Sequence, residues 1–467
     1  MIELIRSRFE NKSVVLLGFG REGQATYAVL RSVFPEAPVA IADASESVCK
    51  NPLIAGDKNI TFITGDGYLE KLSSFDIIVR SPGIPIWNTP ISPSRHFTIS
   101  PSRQLLTSQT DLFLRAYSRQ VIGVTGTKGK STTSSLIHHI LRTAGKDSIL
   151  VGNIGNPAFH YINAIKPETI IVFELSSHQL EYIAVAPHIS IFLNLFQEHL
   201  DAYSSFHAYQ LAKANITKYQ QKGDFLVFNT DDPLVVKQVA PYLSDRECYP
   251  FSLQREVIPG GFLQDGFLCF AKDENVEHVW KIHQDRFLRG EHNLKNIQAA
   301  MNVAGILGIS KEDLEDGIAT FKGLEHRLEY VGEYGSIHFY NDSIATIPEA
   351  CMEAVKSVPL VDTLIAGGFD RGIDYLPLAE FLCRSSVRNL ILLGAAGKRI
   401  GEFAEKLMTP GKNLFYINRF DDFKKIAFHE TRPGYACLLS PAAASYDEFK
   451  NFEERGNRFR ELVMERW

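Results

Sequence analysis

Short, almost continuous apolar runs recur along the chain and alternate with longer stretches of helical character. They include Val14-Val-Leu-Leu17, Val39-Ala-Ile-Ala42, Ile77-Ile-Val79, Val121-Ile-Gly-Val124, Ile170-Ile-Val-Phe173 and Leu390-Ile-Leu-Leu393. A run that is apolar at every position, rather than at every second one, suits a strand covered on both faces, and helices supply that cover in parallel sheets. The pattern predicts an α/β protein. A further, largely apolar run, Ile189-Ser-Ile-Phe-Leu-Asn-Leu-Phe196, is predicted to be another buried strand. It falls far short of the ~20 apolar residues needed to cross a bilayer. The opening Met1-Ile-Glu-Leu-Ile-Arg-Ser-Arg lacks the apolar stretch of a signal peptide, so a soluble, cytoplasmic protein without a membrane span is expected.

Punctuation divides the pattern into three. The segment Ser81–Ser94 is dense in proline and turn residues and reads as the exit from a first domain. Phe321-Lys-Gly-Leu-Glu-His-Arg327 separates a helical region from new β-type runs. The expected modules are 1–104, 105–323 and 324–467, and 467 residues suit about three domains at roughly 100–200 residues each. Hydrophobic residues at 45% and charged residues at 22% fit a globular chain. A net charge of −5 argues against a nucleic-acid partner. The six cysteines are scattered without C-x-x-C spacing, which predicts unpaired core thiols in a reducing compartment rather than a zinc or redox site.

Four segments could carry chemistry. Gly18-Phe-Gly-Arg-Glu-Gly23 follows the first apolar run, and Asp43 lies 20 residues beyond Gly23. Such glycines permit a tight turn and close approach of a phosphate to a helix N-terminus; a dinucleotide, another nucleotide or phosphate ligand, and plain turn glycines all remain open. Gly126-Thr-Lys-Gly-Lys-Ser-Thr132 follows a strand and precedes a helical stretch. There Lys130 can reach β- and γ-phosphates and the Ser131 hydroxyl can meet Mg²⁺, although the strict P-loop pattern fails because its first glycine falls on Val124. In Phe173-Glu-Leu-Ser-Ser-His-Gln-Leu-Glu181, Glu174 stands at the carboxyl end of a strand, where it serves either as a surface acid or as a ligand for nucleotide-bound Mg²⁺. Asn194-Leu-Phe-Gln-Glu-His-Leu-Asp-Ala-Tyr203 contains His199 and Asp201, and Lys213 follows 14 residues after His199 in a helical stretch. Alone, His199 is as compatible with a structural role, and Lys213 with a solvated one.

Together, in this order, these segments resemble the Mur ligases, ATP-dependent amide-forming enzymes that build the peptidoglycan peptide. Further matches are Gly152-Asn-Ile-Gly155, Gly290-Glu-His-Asn-Leu-Lys-Asn296, Glu325-His-Arg327 and Asn341-Asp-Ser343. Leu439-Ser-Pro-Ala-Ala-Ala-Ser-Tyr-Asp-Glu-Phe-Lys-Asn-Phe-Glu-Glu-Arg-Gly-Asn-Arg-Phe459 most resembles the family's glutamate-adding members. The resemblance implies an N-terminal Rossmann-like UDP-binding domain, a central P-loop ATPase-like domain with a parallel sheet, and a C-terminal Rossmann-like domain. It implies UDP-N-acetylmuramoyl-L-alanine and glutamate as substrates, ATP with two Mg²⁺ ions, and a monomer.

The resemblance also distributes roles. Gly18, Gly20, Gly23, Asp43 and Ser45 would line the UDP-sugar site, with Asn153, Ser176 and Gln179 at the muramoyl-alanine end. Gly126, Thr127, Lys128, Gly129, Lys130, Ser131 and Thr132 would hold ATP, with Asn293 and Asn296 toward adenine and Arg327 and Asp342 closing from the third domain. Ser131, Glu174 and His199 would be metal ligands, and Lys213 would be carbamylated by CO₂ into an anionic metal partner. Lys130, Glu174, His199 and Lys213 would be the catalytic set, and Thr346, Arg371, Ser445 and Phe452 would surround the incoming glutamate. Three positions depart from the family pattern: Ile344 and Arg371 stand where lysines are common, and Ala443 where cysteine is frequent. The first removes a cation and the second replaces a point charge by a planar fork, which opens L-glutamate as the alternative to the D-glutamate that the resemblance implies. A dehydrogenase would leave the P-loop and the C-terminal run unexplained. A folylpolyglutamate synthase would lack the N-terminal UDP domain. A non-catalytic nucleotide-binding regulator would not need Glu174, His199 and Lys213 together.

Overall fold

The computed structural model describes residues 1–86, 89, 91, 104–152, 157–198, 203–273, 275–283, 287–288, 290–407 and 411–465. It forms two compact units, Met1–His283 with Glu291–Thr320, and Gln284–Gly290 with Phe321–Trp467.

The first unit holds two sheets. One is five-stranded and parallel, in the order Ile60–Thr64, Val39–Asp43, Val14–Leu17, Ile77–Arg80, Leu105–Thr107. Every residue of Val14–Leu17 and Ile77–Arg80 is buried, as continuous apolar runs require. The strand order reverses between these two neighbours. Their carboxyl ends therefore open a crevice of the kind in which α/β sheets bind ligands, and the glycine turn 18–23 lies there. The sheet takes in Leu105–Thr107, three residues past position 104.

The other sheet has nine strands, ordered Val276–Lys281, Phe267–Ala271, Gly260–Gln264, Glu247–Ser252, Phe225–Asn229, Ile189–Phe192, Val121–Thr125, Ile170–Glu174, Ser148–Gly152. Its core is parallel, while the outer strands from Gly260 to Lys281 run antiparallel. Val121–Thr125 lies between Ile170–Glu174 and Ile189–Phe192. Helices Lys130–Thr143, Glu291–Leu307 and Lys311–Thr320 pack against one another. The apolar run that begins at Ile189 is only half strand: the ladder stops at Phe192, and residues 193–198 become a loop.

The second unit is built on six strands, Glu329–Tyr334, Ile337–Asn341, Ala436–Leu439, Val361–Gly367, Asn389–Leu393, Asn413–Ile417, of which only the first pair is antiparallel. Leu364, Leu390 and Leu438 enter one core, and their neighbours Ile365, Ile391 and Leu439 enter another. Both faces are covered, which is why these strands read as unbroken apolar runs. All six cysteines are free; Cys269, Cys351 and Cys437 are core thiols, but Cys49 is exposed, contrary to the expectation for the whole set. Among the described residues no helix is long and apolar enough to cross a membrane.

Candidate active site

The site in the first unit is built where three neighbouring strands end. Val121–Thr125 runs into the turn 126–129, and the helix Lys130–Thr143 starts at once, with Gly129 as its N-cap at φ +84°. A side chain at Gly129 would be strained there, and its Cβ would lie 2.5 Å from Asn296 Oδ1. Asn296 thus packs against the turn and donates to Asn293 Oδ1 (3.0 Å). The loop 193–198 holds the turn from the other side. The Thr127 amide donates to the Asn194 carbonyl (3.0 Å), the Lys128 amide to Asn194 Oδ1 (2.8 Å), and Asn194 Nδ2 back to the Lys128 carbonyl (3.0 Å). Thr127 Oγ1 accepts from the Phe196 amide (2.9 Å) and shares a hydrogen bond with the Tyr209 hydroxyl (2.9 Å). Asp232 anchors the same loop through the Leu195 amide (2.8 Å), and Lys128 pairs with Glu198.

Two amines converge on this turn. Lys130 Nζ donates to the carbonyls of Gly126 (3.0 Å) and Thr127 (2.9 Å), and Lys213 Nζ donates to the Gly126 carbonyl (2.8 Å) from the helix Phe206–Lys218. Lys213 is almost fully buried, with its amine 5.0 Å from the Tyr209 ring centre. Burial, and then the Lys130 charge, hold its amine well below the usual lysine range, while Glu198 and Glu174 oppose the shift. Glu174 is completely buried at the end of Ile170–Glu174, in register with Val124 and Gly152. Ser131 and Thr132 occupy the first turn of the helix that starts at Lys130. The structure therefore brings together Gly126, Thr127, Lys128, Gly129, Lys130, Ser131, Thr132, Glu174 and Lys213. His199, Asp201 and Asn153 lie outside the described residues. Among the described residues no group of three His, Cys, Asp or Glu side chains is gathered as a metal cluster.

A second constellation lies at the five-stranded sheet. A Cβ on Gly23 would fall 2.2 Å from the Gly18 carbonyl, so helix and turn meet there only through glycine. Asp43 ties the turn to its own strand, accepting from the Phe19 amide (3.0 Å) and, through its other oxygen, from the Ser45 amide (2.9 Å). Gly20 is the helix N-cap, and Ser45 caps the short helical turn that follows it. Ser176 and Gln179 form a capping box: the Ser176 amide donates to Gln179 Oε1 (2.9 Å) and the Gln179 amide to Ser176 Oγ (3.3 Å). Gln179 Nε2 then donates to Glu22 Oε1 (2.8 Å).

In the second unit, Arg327 is exposed between His326 and Leu328, both with left-handed backbone (φ +63° and +47°). Asp342 is buried and accepts from Ser440 Oγ (2.8 Å) and the Leu328 amide (3.2 Å); burial pushes its carboxyl up to about 7. Arg371 Nη2 donates to the Thr346 carbonyl (2.8 Å), joining two of the expected glutamate contacts. Asp370, clamped by Arg399 at 2.8 and 3.0 Å, steadies the loop that carries Arg371. Ser445 is buried and Phe452 lies edge-on to His326, ring centres 6.3 Å apart.

Sequence reasoning missed four residues that shape these sites. Asn194, Asp232 and Tyr209 brace the turn, and Arg455 is 1% exposed. Its guanidinium donates to Ser343 Oγ (3.0 Å) and to the carbonyls of Ser343 (2.9 Å), Ala443 (3.2 Å) and Ala444 (3.3 Å). It thereby fastens the N-D-S segment to the S-P-A-A-A-S segment. Asn194 and Arg455 stand inside quoted motifs, but nothing in their spacing marks them as braces.

Comparison with known proteins agrees with this geometry. The family model described as "Mur ligase middle domain" matches residues 124–304. The chain is 33% identical over 461 residues to the UDP-N-acetylmuramoylalanine–D-glutamate ligase of Thermoanaerobacter sp. (strain X514), covering 98% of this chain and 99% of that one. The ligase of the same name from Listeria monocytogenes (strain EGD-e) is 33% identical over 462 residues, covering 98% and 97%. Among solved structures, the UDP-N-acetylmuramate–alanine ligase MurC of Thermotoga maritima is similar with a TM-score of 0.56 at 17% identity, covering 97% of this chain and 99% of that one. MurF ligase of Thermotoga maritima, solved in complex with ADP, is similar with a TM-score of 0.54 at 17% identity, covering 98% and 96%.

Proposed function

The chain belongs to the Mur ligase family of ATP-dependent ligases, and from that premise we propose that it joins D-glutamate to UDP-N-acetylmuramoyl-L-alanine. One observation carries the chemistry: the amines of Lys130 and Lys213 share the Gly126 carbonyl beside the buried Glu174.

A carboxylate is a poor electrophile, so ATP first transfers its γ-phosphoryl to the alanine carboxylate; glutamate's amine then attacks the acyl phosphate and phosphate leaves. Backbone amides of the turn 126–129 and the first turn of the following helix face the triphosphate. Lys130 exchanges its two carbonyl contacts for phosphate oxygens and neutralises charge that builds up during transfer. Hard oxygen donors suit magnesium: Ser131 and Glu174 are such donors, with His199 completing the proposed set. Magnesium, when bound, neutralises the phosphates and polarises the transferring group. An ammonium at Lys213 would repel that cation. Its burial beside Lys130 instead favours the neutral amine, which can add to CO₂: the N–C bond forms, one proton leaves, and the product is an anionic carbamate. Arg371, Thr346, Ser445 and Phe452 receive the glutamate, and Arg327 and Asp342 engage ATP. The three sequence modules 1–104, 105–323 and 324–467 would then divide sugar nucleotide, ATP and glutamate among them.

The D-enantiomer follows the names of the relatives. Phosphate release from ATP in the presence of UDP-N-acetylmuramoyl-L-alanine, measured with D- and L-glutamate in turn, tests the reading. Turnover with D-glutamate alone is expected. Turnover with L-glutamate alone would assign the other enantiomer, and turnover with neither would overturn the reaction itself.

A further inference from the structure

Asp370 and Arg371 are neighbours in the loop that follows the strand Val361–Gly367, and Arg399 reaches that loop from the helix Gly394–Leu407. A single Arg399 nitrogen, Nη1, donates to both oxygens of Asp370 (3.0 and 2.8 Å). The Arg399 guanidinium lies 5.3 Å from the ring centre of the fully buried Tyr375, which seats it against the core. Asp370 Oδ1 also accepts from the Gly372 amide (2.9 Å). The Arg399 hydrogen bond, with the Gly372 amide adding to it, holds the Asp370 carboxyl below the usual carboxylate range, so it stays an anion. The Phe369 amide donates to the Ala444 carbonyl (2.9 Å) and fixes the same loop from its other side. Arg371 is exposed and donates through Nη2 to the Thr346 carbonyl (2.8 Å). Among the described residues it makes no ion pair, although an acid stands next to it in sequence.

We propose that Arg399 is a positioning residue for the incoming glutamate: by engaging Asp370 it keeps that acid off Arg371 and leaves the Arg371 fork free for a substrate carboxylate. The inference rests on the ligase reading above, which gives Arg371 to glutamate. A guanidinium holds a carboxylate best through two parallel hydrogen bonds, and a second carboxylate close by competes for them. Without Arg399, Asp370 is an unneutralised anion beside Arg371. It then pairs with that guanidinium and repels the anionic substrate. Asp374, the other acid acting on Arg399, is tied to the Leu376 amide (3.0 Å).

The test is phosphate release from ATP with UDP-N-acetylmuramoyl-L-alanine present and glutamate varied, for the parent, Arg371→Ala, Arg399→Met, and Arg399→Met combined with Asp370→Asn. Arg399→Met is expected to raise the KM for glutamate about three- to fivefold, with kcat and the KM for ATP unchanged. Adding Asp370→Asn removes the unneutralised charge, keeps an acceptor for the Gly372 amide, and is expected to return the KM to the parent's value. An unchanged KM in Arg399→Met would overturn the proposal. A combined variant as impaired as Arg399→Met would overturn it too, because Arg399 would then be only a brace for the loop. Should Arg399→Met not fold, judged by circular dichroism, Arg399→Gln keeps a donor toward Asp370 without the charge. The same rise and the same rescue are expected of it, and the absence of either would equally overturn the proposal. An unchanged KM for glutamate in Arg371→Ala would instead defeat the assignment of Arg371 in the ligase reading, and this inference with it.

Discussion

Asp342→Asn is expected to stabilise the second unit at alkaline pH and to impair ligation. Asp342 is fully buried, and burial lifts its carboxyl to about 7 from an ordinary value of about 3.9. A gap of roughly three units at 1.36 kcal/mol each gives about 4 kcal/mol. A raised carboxyl pKa means that the folded state binds more protons than the unfolded state between about pH 4 and 7. Stability therefore falls as pH rises through that window, and the full penalty applies above it. Asparagine can keep the Leu328 amide contact through its oxygen and can donate to Ser440 Oγ, so little geometry is lost. At pH 8 the variant should exceed the parent by up to about 4 kcal/mol, with the difference fading toward pH 4. Two compact units make global melting an unsafe readout. Hydrogen exchange in the strands Ile337–Asn341 and Ala436–Leu439, corrected for intrinsic rates, reads this unit directly. Equal protection of parent and variant at pH 8, or a parent more protected at pH 8 than at pH 5, would refute the reasoning. The loss of ligation expected alongside reflects the common exchange of stability for a charge kept at a working site.

Lys130→Ala should abolish ATP-dependent phosphate release while leaving calorimetric binding of the sugar nucleotide intact. Lys213→Arg, whose guanidinium cannot become a neutral nucleophile, should lower turnover at least a hundredfold, and the parent should lose activity on removal of dissolved CO₂ and regain it with added bicarbonate. Arg455→Met takes the guanidinium donor from the buried Ser343 and Ala443 carbonyls, while the Ala444 carbonyl keeps the Phe369 amide, and should destabilise the second unit by about 2–5 kcal/mol in hydrogen exchange. Arg371→Ala should raise the KM for glutamate about tenfold or more, the loss of a charged hydrogen bond, with the KM for the sugar nucleotide unchanged.

What was legible in the sequence follows from burial. Strands covered on both faces leave apolar runs such as Val14–Leu17 and Leu390–Leu393, and the glycine turns after them announce themselves by composition. The antiparallel strands from Gly260 to Lys281 were not foreseen. One reason is that Gly260, Gly261 and Gly266 interrupt the apolar pattern there. The end of the strand at Phe192 was hidden for another reason. Leu193 and Leu195 stay buried after the ladder stops, so the apolar signal continues into a loop. Arg455 was illegible because a guanidinium satisfied by main-chain carbonyls needs no acidic partner that a pairing rule could detect. Lys213 shows the limit most clearly: its type and spacing suit a solvated lysine, and only the fold buries it beside Lys130.

That burial constrains the charge of the ATP site. Lys128 and Glu198 form a pair and cancel. Two ammonium groups donating to one carbonyl, one of them almost fully buried, would repel strongly. The balance is relieved when Lys213 is neutral, which leaves Lys130 and Glu174 to offset each other. Carbamate formation at Lys213 would then bring the cluster to a net charge of about −1, so divalent cations become favourable just where a polyanionic triphosphate must also be held. On that reading cations would gather poorly while Lys213 is an ammonium and well once it carried an oxyanion. Lys213→Arg should therefore weaken magnesium-dependent nucleotide binding as well as turnover. An arginine variant that binds ATP with the parent's magnesium dependence would sever this link between the buried amine and the metal.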